Sequence, residues 1–346
     1  MTVRTLLIGT PAGVYEARGE GAHYESRPLG LSGKGQVRGL LIDKDDPAVI
    51  YAGTSSGGVW RSDDRGATWA ERNEGVIYRS AWSLAQHPVT GELWLGTEPA
   101  NVFASSDRGD HWRHCDQLQT LEETRFWTFP RPPHVAHVKN LAVRADDPAW
   151  VYGAIEEGWV VRTTNGGQAW VNLKQGIEFD MHQVTVMPDD PSILLAVSGR
   201  GAYRSVNGGD SFTESNIGLE GRYCAPAASH PGRPATVYLA AAAAAPPFWG
   251  GPKGADSSFY RSDDQGMTWR RLHGGMPDVL TAAARSTAVD PEDPDVFAVG
   301  LSEGMPYPPG QQQRGVIWLT DDGGRSFRKI IDGIPPIYSL KISSLR

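Results

Sequence analysis

The chain has 346 residues, with 33 Lys and Arg against 40 Asp and Glu, so its formal net charge is −7. No basic stripe stands out, which argues against a nucleic-acid partner, and no run approaches the ~20 apolar residues of a membrane-crossing helix. Two cysteines, Cys115 and Cys224, fall on different predicted strands; a disulfide is not expected and a reducing, cytoplasmic setting fits.

In chain order, the first segment (TLLIGTPAGVYEARGEGAHYESRPL) reads as three strands. Its start is too short for a secretory signal and is needed as a strand. From Val37 one unit recurs: an apolar strand A, an Asp-Pro-type turn, an apolar strand B, a loop, strand C, a short motif, and strand D. The A–turn–B part is seen in GLLIDKDDPAVIYAGT (39–54), NLAVRADDPAWVYGAI (140–155) and VTVMPDDPSILLAV (184–197). The motif is Ser/Thr-x-Asp/Asn-x-Gly-x-x-Trp/Phe. It appears as SDDRGATW, SSDRGDHW, TTNGGQAW, SVNGGDSF, SDDQGMTW and TDDGGRSF, beginning at Ser62, Ser105, Thr163, Ser205, Ser262 and Thr320. The spacings are 43, 58, 42, 57 and 58 residues. In the motif the glycine suits the positive φ of a tight hairpin, the Asp or Asn closes the turn onto nearby backbone, and the aromatic buries against the next sheet. All three are structural roles.

Six full units begin near Val37, Trp82, Val138, His182, Cys224 and Ala283. The N-terminal strands supply B, C and D of a further unit, and 337–342 supplies only an A. A repeat of this length indicates a propeller or a solenoid. Joining the two ends closes a ring and leaves only short edges. The expectation is an all-β fold, a single seven-bladed β-propeller over 1–346. The alanine run 240–245 is read as strand B running into a loop, because Pro246 and Pro247 stop a helix.

A–B turns and motif hairpins are expected at one end, D–A and B–C loops at the other. The A–B turns are short throughout. The long loops, 116–136, 241–258 and 302–314, all fall at the second end, which makes it the expected binding face. Aligning the strand A starts brings Arg38, Trp82, Lys139, His182, Ala225, Arg285 and Tyr338 to the channel mouth, with His137, Asp180, Arg222 and Tyr223 further out. Two readings follow for Arg38, Lys139 and Arg285. They pair with Glu98, Glu156, Glu157 and Glu303 of the B–C loops, or they grip a small anionic or carbohydrate ligand. Trp82, His137, Arg222 and Tyr223 join the ligand-binding set. Trp127, Phe248 and Trp249 either stack on a ligand or anchor their loops. The catalytic candidates are His182, Glu156, Tyr338 and Glu98. Glu98 and Glu156 would act in hydrolysis, and His182 or Tyr338 would take a proton in β-elimination. No cofactor is expected. A divalent metal on His134, His137 and His182, with Glu156 or Asp180, is the alternative.

The repeated motif resembles the Asp box of the sialidase-like BNR-repeat propellers, and the whole chain resembles stand-alone bacterial BNR-repeat proteins loosely termed glycosyl hydrolases. The resemblance implies that the boxes lie on the face opposite the active site. Sialidases of that family carry a Phe/Tyr-Arg-Ile-Pro stretch before the first box, where this chain reads Val3-Arg4-Thr5-Leu6, so sialidase activity is not carried over. A carbohydrate-active hydrolase or lyase is one expectation, and a non-catalytic scaffold, assembly or ligand-binding propeller is the other.

Overall fold

A computed structural model describes residues 3–303 and 314–343. Those residues form seven four-stranded antiparallel sheets. The innermost strands are Val37–Ile42, Ser80–Gln86, Val138–Val143, Met181–Val186, Tyr223–His230, Ala283–Val289 and Ser339–Ser343. Each packs against the next, and the last packs against the first, so the sheets are blades 1 to 7 of a closed ring. The predicted unit starts fall within two residues of these strands.

Blade 7 is built from both chain ends. Ser339–Ser343 pairs with Arg4–Thr10 in the register Leu6↔Ile342 and Ile8↔Leu340. The apolar faces of this closure, Leu6, Ile8, Ile337, Leu340 and Ile342, are buried with Ile317 and Leu319 of blade 6. Burial of side chains like these contributes ~1.5–3 kcal/mol each, which holds a terminal strand of five residues in place.

The Asp boxes form as their residue types require. In blade 1, Ser62 Oγ accepts from Gly66 N at 2.7 Å and donates to Asp64 Oδ1 at 2.8 Å. Asp64 Oδ1 in turn accepts from Thr68 N at 2.8 Å. Arg65 and Gly66 both take positive φ, 61° and 87°, as a tight hairpin turn between twisted strands demands. The closing aromatic staples the preceding blade: Trp112 Nε1 donates to Arg72 O at 3.0 Å, and Trp269 Nε1 donates to Ser215 O at 2.8 Å.

Box backbone N–H groups bond the A–B turns of the same blade, as in Arg65 N to Ala48 O (2.9 Å) and Gly208 N to Ser192 O (2.8 Å). A strand C arginine reaches the next box, as Arg162 does to Gly208 O at 2.8 Å. Boxes and A–B turns therefore share one end. At the other end, loop 116–136 carries two 3₁₀ turns, Asp116–Thr120 and Glu122–Phe126. Strand Arg233–Ala242 runs through the alanines before a single 3₁₀ turn at Pro246–Phe248. Most of the predicted loop 302–314 lies outside the described residues. Cys115 and Cys224 are buried, free thiols.

Candidate functional site

One irregularity is repeated around the ring. The innermost strands shift register between Val37 and Gly39, Ala81 and Ser83, Val138 and Asn140, Met181 and Gln183, Cys224 and Ala227, and Ala284 and Ser286. A β-bulge leaves its extra residue out of the ladder and re-aims that side chain. The residues skipped include Arg38, Trp82, Lys139, His182 and Arg285. In blade 7 Tyr338 stands immediately before the innermost strand. All six line one cavity of about 1480 Å³ that runs through the channel from the A–B turns (Asp43, Lys44, Pro47 and Pro291) to the loop-bearing end, where Glu98, Glu156, Glu157, Asp180 and Tyr223 border it.

Charge is segregated around this cavity. Glu98 closes strand B of blade 2, Glu156 and Glu157 follow strand B of blade 3, and Asp180 precedes blade 4. These carboxylates form an acidic arc. Arg285 of blade 6, Tyr338 of blade 7 and Arg38 of blade 1 complete the rim as a basic and hydroxylic arc, which meets the acidic one where Arg38 approaches Glu98.

The acidic arc is tightly bonded. Glu156 is only 7% exposed. Its Oε2 accepts from Lys139 Nζ at 2.6 Å and from His137 Nε2 at 2.9 Å. Burial pushes its carboxyl up, but Lys139 and the His137 bond overcome that and hold it well below the usual carboxylate range. His137 is fully buried, 3.4 Å from Trp82 in a ring stack, and does not line the cavity. Trp82 also carries the Arg38 guanidinium 3.8 Å over its ring and donates from Nε1 to Glu98 Oε2 at 3.0 Å. Arg38 Nη1 stands 3.9 Å from the same oxygen. Lys139 and Arg38 thus realise much of the predicted rim pairing with glutamates. Glu303 stays at the end of its strand and does not border the cavity.

His182 is 6% exposed, and its Nδ1 lies 2.6 Å from Cys224 O. A carbonyl only accepts, so Nδ1 carries the proton in that bond. Nε2 then faces the site, 3.4 Å from Asp180 Oδ1 and without a hydrogen-bond partner. Burial raises the Asp180 carboxyl, and His182 in its protonated form lowers it more, to below its ordinary range. Burial, then the Asp180 and Glu156 charges, raise Glu157, whose backbone takes a φ of +52°. Burial and the same two carboxylates push the Tyr223 phenol up, which keeps it a donor.

Besides His137 and Glu303, two more predicted residues stand elsewhere. Arg222 is exposed and does not line the cavity, because it precedes the strand whose bulge aims the others inward. His134 is exposed, with Nδ1 bonded to Phe129 O at 2.8 Å. The predicted metal trio is accordingly not assembled. Among the described residues, the groups whose donor atoms fall within 4.8 Å of one another are Glu156, Asp180 and His182, and His137 is committed to Glu156. Trp249 is buried, donates to Ala244 O at 2.7 Å and anchors its loop; Trp127 packs against the blade 2–3 core; Phe248 is exposed. The sequence reading missed how closely Asp180 and Glu157 join Glu156. Their position at the junction of blades 3 and 4 was the available signal.

A BNR/Asp-box repeat model matches residues 260–271, the box of blade 5 with its flanking strands. The chain is 27% identical over 227 residues to a probable oligoxyloglucan-reducing end-specific xyloglucanase of Neosartorya fischeri, across 60% of this chain and 25% of that protein. It is 26% identical over 126 residues to vacuolar protein sorting/targeting protein 10 of Mycosarcoma maydis, across 36% of this chain and 7% of that one. The chain thus spans a quarter or less of these relatives. Among solved structures, a GH74 enzyme of Niastella koreensis superposes with a TM-score of 0.64 at 18% identity, over 87% of this chain and 46% of that one. YCF48 from Cyanidioschyzon merolae superposes with a TM-score of 0.54 at 15% identity, over 87% and 86%. A YCF48 structure bound to D1 peptide gives 0.54 at 14% identity, over 86% and 83%. These likenesses establish a shared propeller fold.

Proposed function

We propose that this Asp-box seven-bladed β-propeller is a carbohydrate-active enzyme that takes an anionic, sugar-like substrate at the loop-bearing mouth of its channel. The observation that carries the reading is the opposition of two arcs across one cavity. Arg38 and Arg285, with Tyr338 between them, suit a carboxylate or sulfate, which a guanidinium binds through paired N–H donors. Across from Arg285, Glu157 and Asp180 border the same space, with Glu98 beside Arg38, and carboxylates flanking a glycosidic bond are what hydrolysis needs. Glu156, held ionised by Lys139 and His137, is a fixed charge and not a proton donor. Likeness to a xyloglucanase and to a GH74 enzyme supports a carbohydrate substrate. Hydrolysis is preferred over β-elimination because the mouth offers several carboxylates to one substrate.

The test is a panel of acidic glycosides and their neutral counterparts, read as reducing-sugar release. Acidic members are expected to be turned over selectively. Arg285→Ala is expected to lower kcat/KM for them by about 10- to 100-fold, the usual value of a charge-assisted hydrogen bond. Equal handling of acidic and neutral glycosides would overturn the reading. A second reading is favoured by one observation: Phe126 (53% exposed) and Phe248 (74% exposed) stand on the two loops that border the mouth. Together with the fold likeness to a peptide-bound YCF48 structure, they suit a peptide partner. That reading gives peptide binding, weakened by Phe248→Ala, with no turnover of any glycoside.

A further inference from the structure

We infer that Glu156, Asp180 and His182 form a binding site for one divalent transition-metal ion on the acidic arc of the channel mouth. One donor atom from each lies within 4.8 Å of the other two. Bonds of ~2.0–2.2 Å to a common ion require little more than small side-chain adjustments to close that gap.

The buried histidine gives the arrangement its direction. His182 is more than nine-tenths buried, and its Nδ1–H is spent on Cys224 O, which leaves Nε2 without a hydrogen-bond partner beside the carboxylates. With the ring neutral, Nε2 and Asp180 Oδ1, 3.4 Å apart, are two acceptors facing each other. A cation between them turns a mismatch into two bonds. Backing by a backbone carbonyl is also what fixes the ring of a metal-binding histidine.

The carboxylates are positioned just as specifically. On Glu156, Oε2 is oriented by His137 and Lys139, and Oε1 is left for the ion. Asp180 Oδ2 occupies space that only a glycine at 199 leaves open: a Cβ there would lie 2.3 Å from that oxygen. Charge points the same way. Glu156, Glu157 and Asp180 share this corner, and among the described residues Lys139 is the one lysine or arginine in an ion pair with any of them. One nitrogen and two oxygens are a borderline donor set, which favours Zn²⁺, Mn²⁺ or Co²⁺ over Ca²⁺ and Mg²⁺. Three protein ligands leave coordination positions open toward the cavity, the pattern of sites that also bind a ligand.

The inference is tested without reference to turnover, so its outcome is independent of the reaction proposed above. The full chain is stripped with a chelator, dialysed and titrated separately with Zn²⁺, Co²⁺ and Ca²⁺ by calorimetry, with Co²⁺ also followed by its visible absorption. One Zn²⁺ or Co²⁺ per chain is expected, with Ca²⁺ at least about 100-fold weaker. Asp180→Asn and His182→Ala are each expected to weaken Zn²⁺ binding at least about 100-fold, and Gly199→Ala about 10-fold through displacement of the Asp180 carboxylate. Circular dichroism checks folding. If His182→Ala does not fold, Asp180→Asn, whose side chain is partly exposed, decides alone. No stoichiometric uptake, uptake that survives Asp180→Asn, or Ca²⁺ binding as tight as Zn²⁺ would overturn the site.

Discussion

Replacing Lys139 with methionine tests the best-defined ion pair of the mouth. The wild-type Nζ lies 2.6 Å from Glu156 Oε2, and after the change that carboxylate keeps one bond, from His137 Nε2 at 2.9 Å. Stranding one member of a buried pair costs ~3–5 kcal/mol. Two features reduce this: the His137 bond survives, and the Lys139 side chain is 27% exposed to the cavity, so water reaches the gap. About 2–3 kcal/mol remains, which for 346 residues is a fall in Tm of about 3–4 °C. Glu156→Gln alone should cost only about 1 kcal/mol, because the freed ammonium swings on its stem into cavity water. The double variant should then be less damaged than the sum of the singles by about 1.5–2 kcal/mol, a coupling expected of groups in contact. Urea unfolding at pH 7 of the four proteins, with chelator present, measures it. A coupling below about 0.5 kcal/mol would refute the reasoning: Lys139 would then be free to serve a ligand instead of Glu156.

Two further predictions concern the ring and its thiols. Leu340→Ala, in the buried closure of blade 7, should destabilise by ~2–5 kcal/mol, whereas Glu25→Ala, exposed on the outermost strand of the same blade, should change stability by under ~0.5 kcal/mol; equal effects would show that the closing strand is not docked. Burial pushes the Cys115 thiol up to about 11 and the Cys224 thiol up to about 12. Native protein at pH 8 should therefore resist iodoacetamide until denatured. Raised folded-state values also mean that the thiols' contribution is complete below the unfolded thiol's pKa of ~8.5 and is lost as pH climbs toward about 11. Rapid native labelling, or stability flat from pH 8 to 11, would contradict this.

Much of the site was legible because it repeats. Arg38, Trp82, Lys139, His182 and Arg285 form one column of the sequence alignment, and the structure shows why: each sits in the bulge of an innermost strand, so the same register gives the same direction. Arg222 lies outside that register and points away. His137 sits one place before the start of its blade's innermost strand, yet it is buried beneath Trp82, which the repeat did not encode. The ion-pair choices were equally hidden. Nothing in Lys139 or Glu156 alone says they meet, or that His182 turns Nε2 toward Asp180.

The chain's own order of residues determined the blades, since turn chemistry, strand alternation and the box aromatics act over short separations, and the unmatched strands at both ends required a closed ring. Only the tertiary structure decided how charge is divided across the mouth. Glu156 and Asp180 come from different blades, and their approach to His182 depends on how two neighbouring sheets pack, a distance fixed when the ring closes and not by any local pattern.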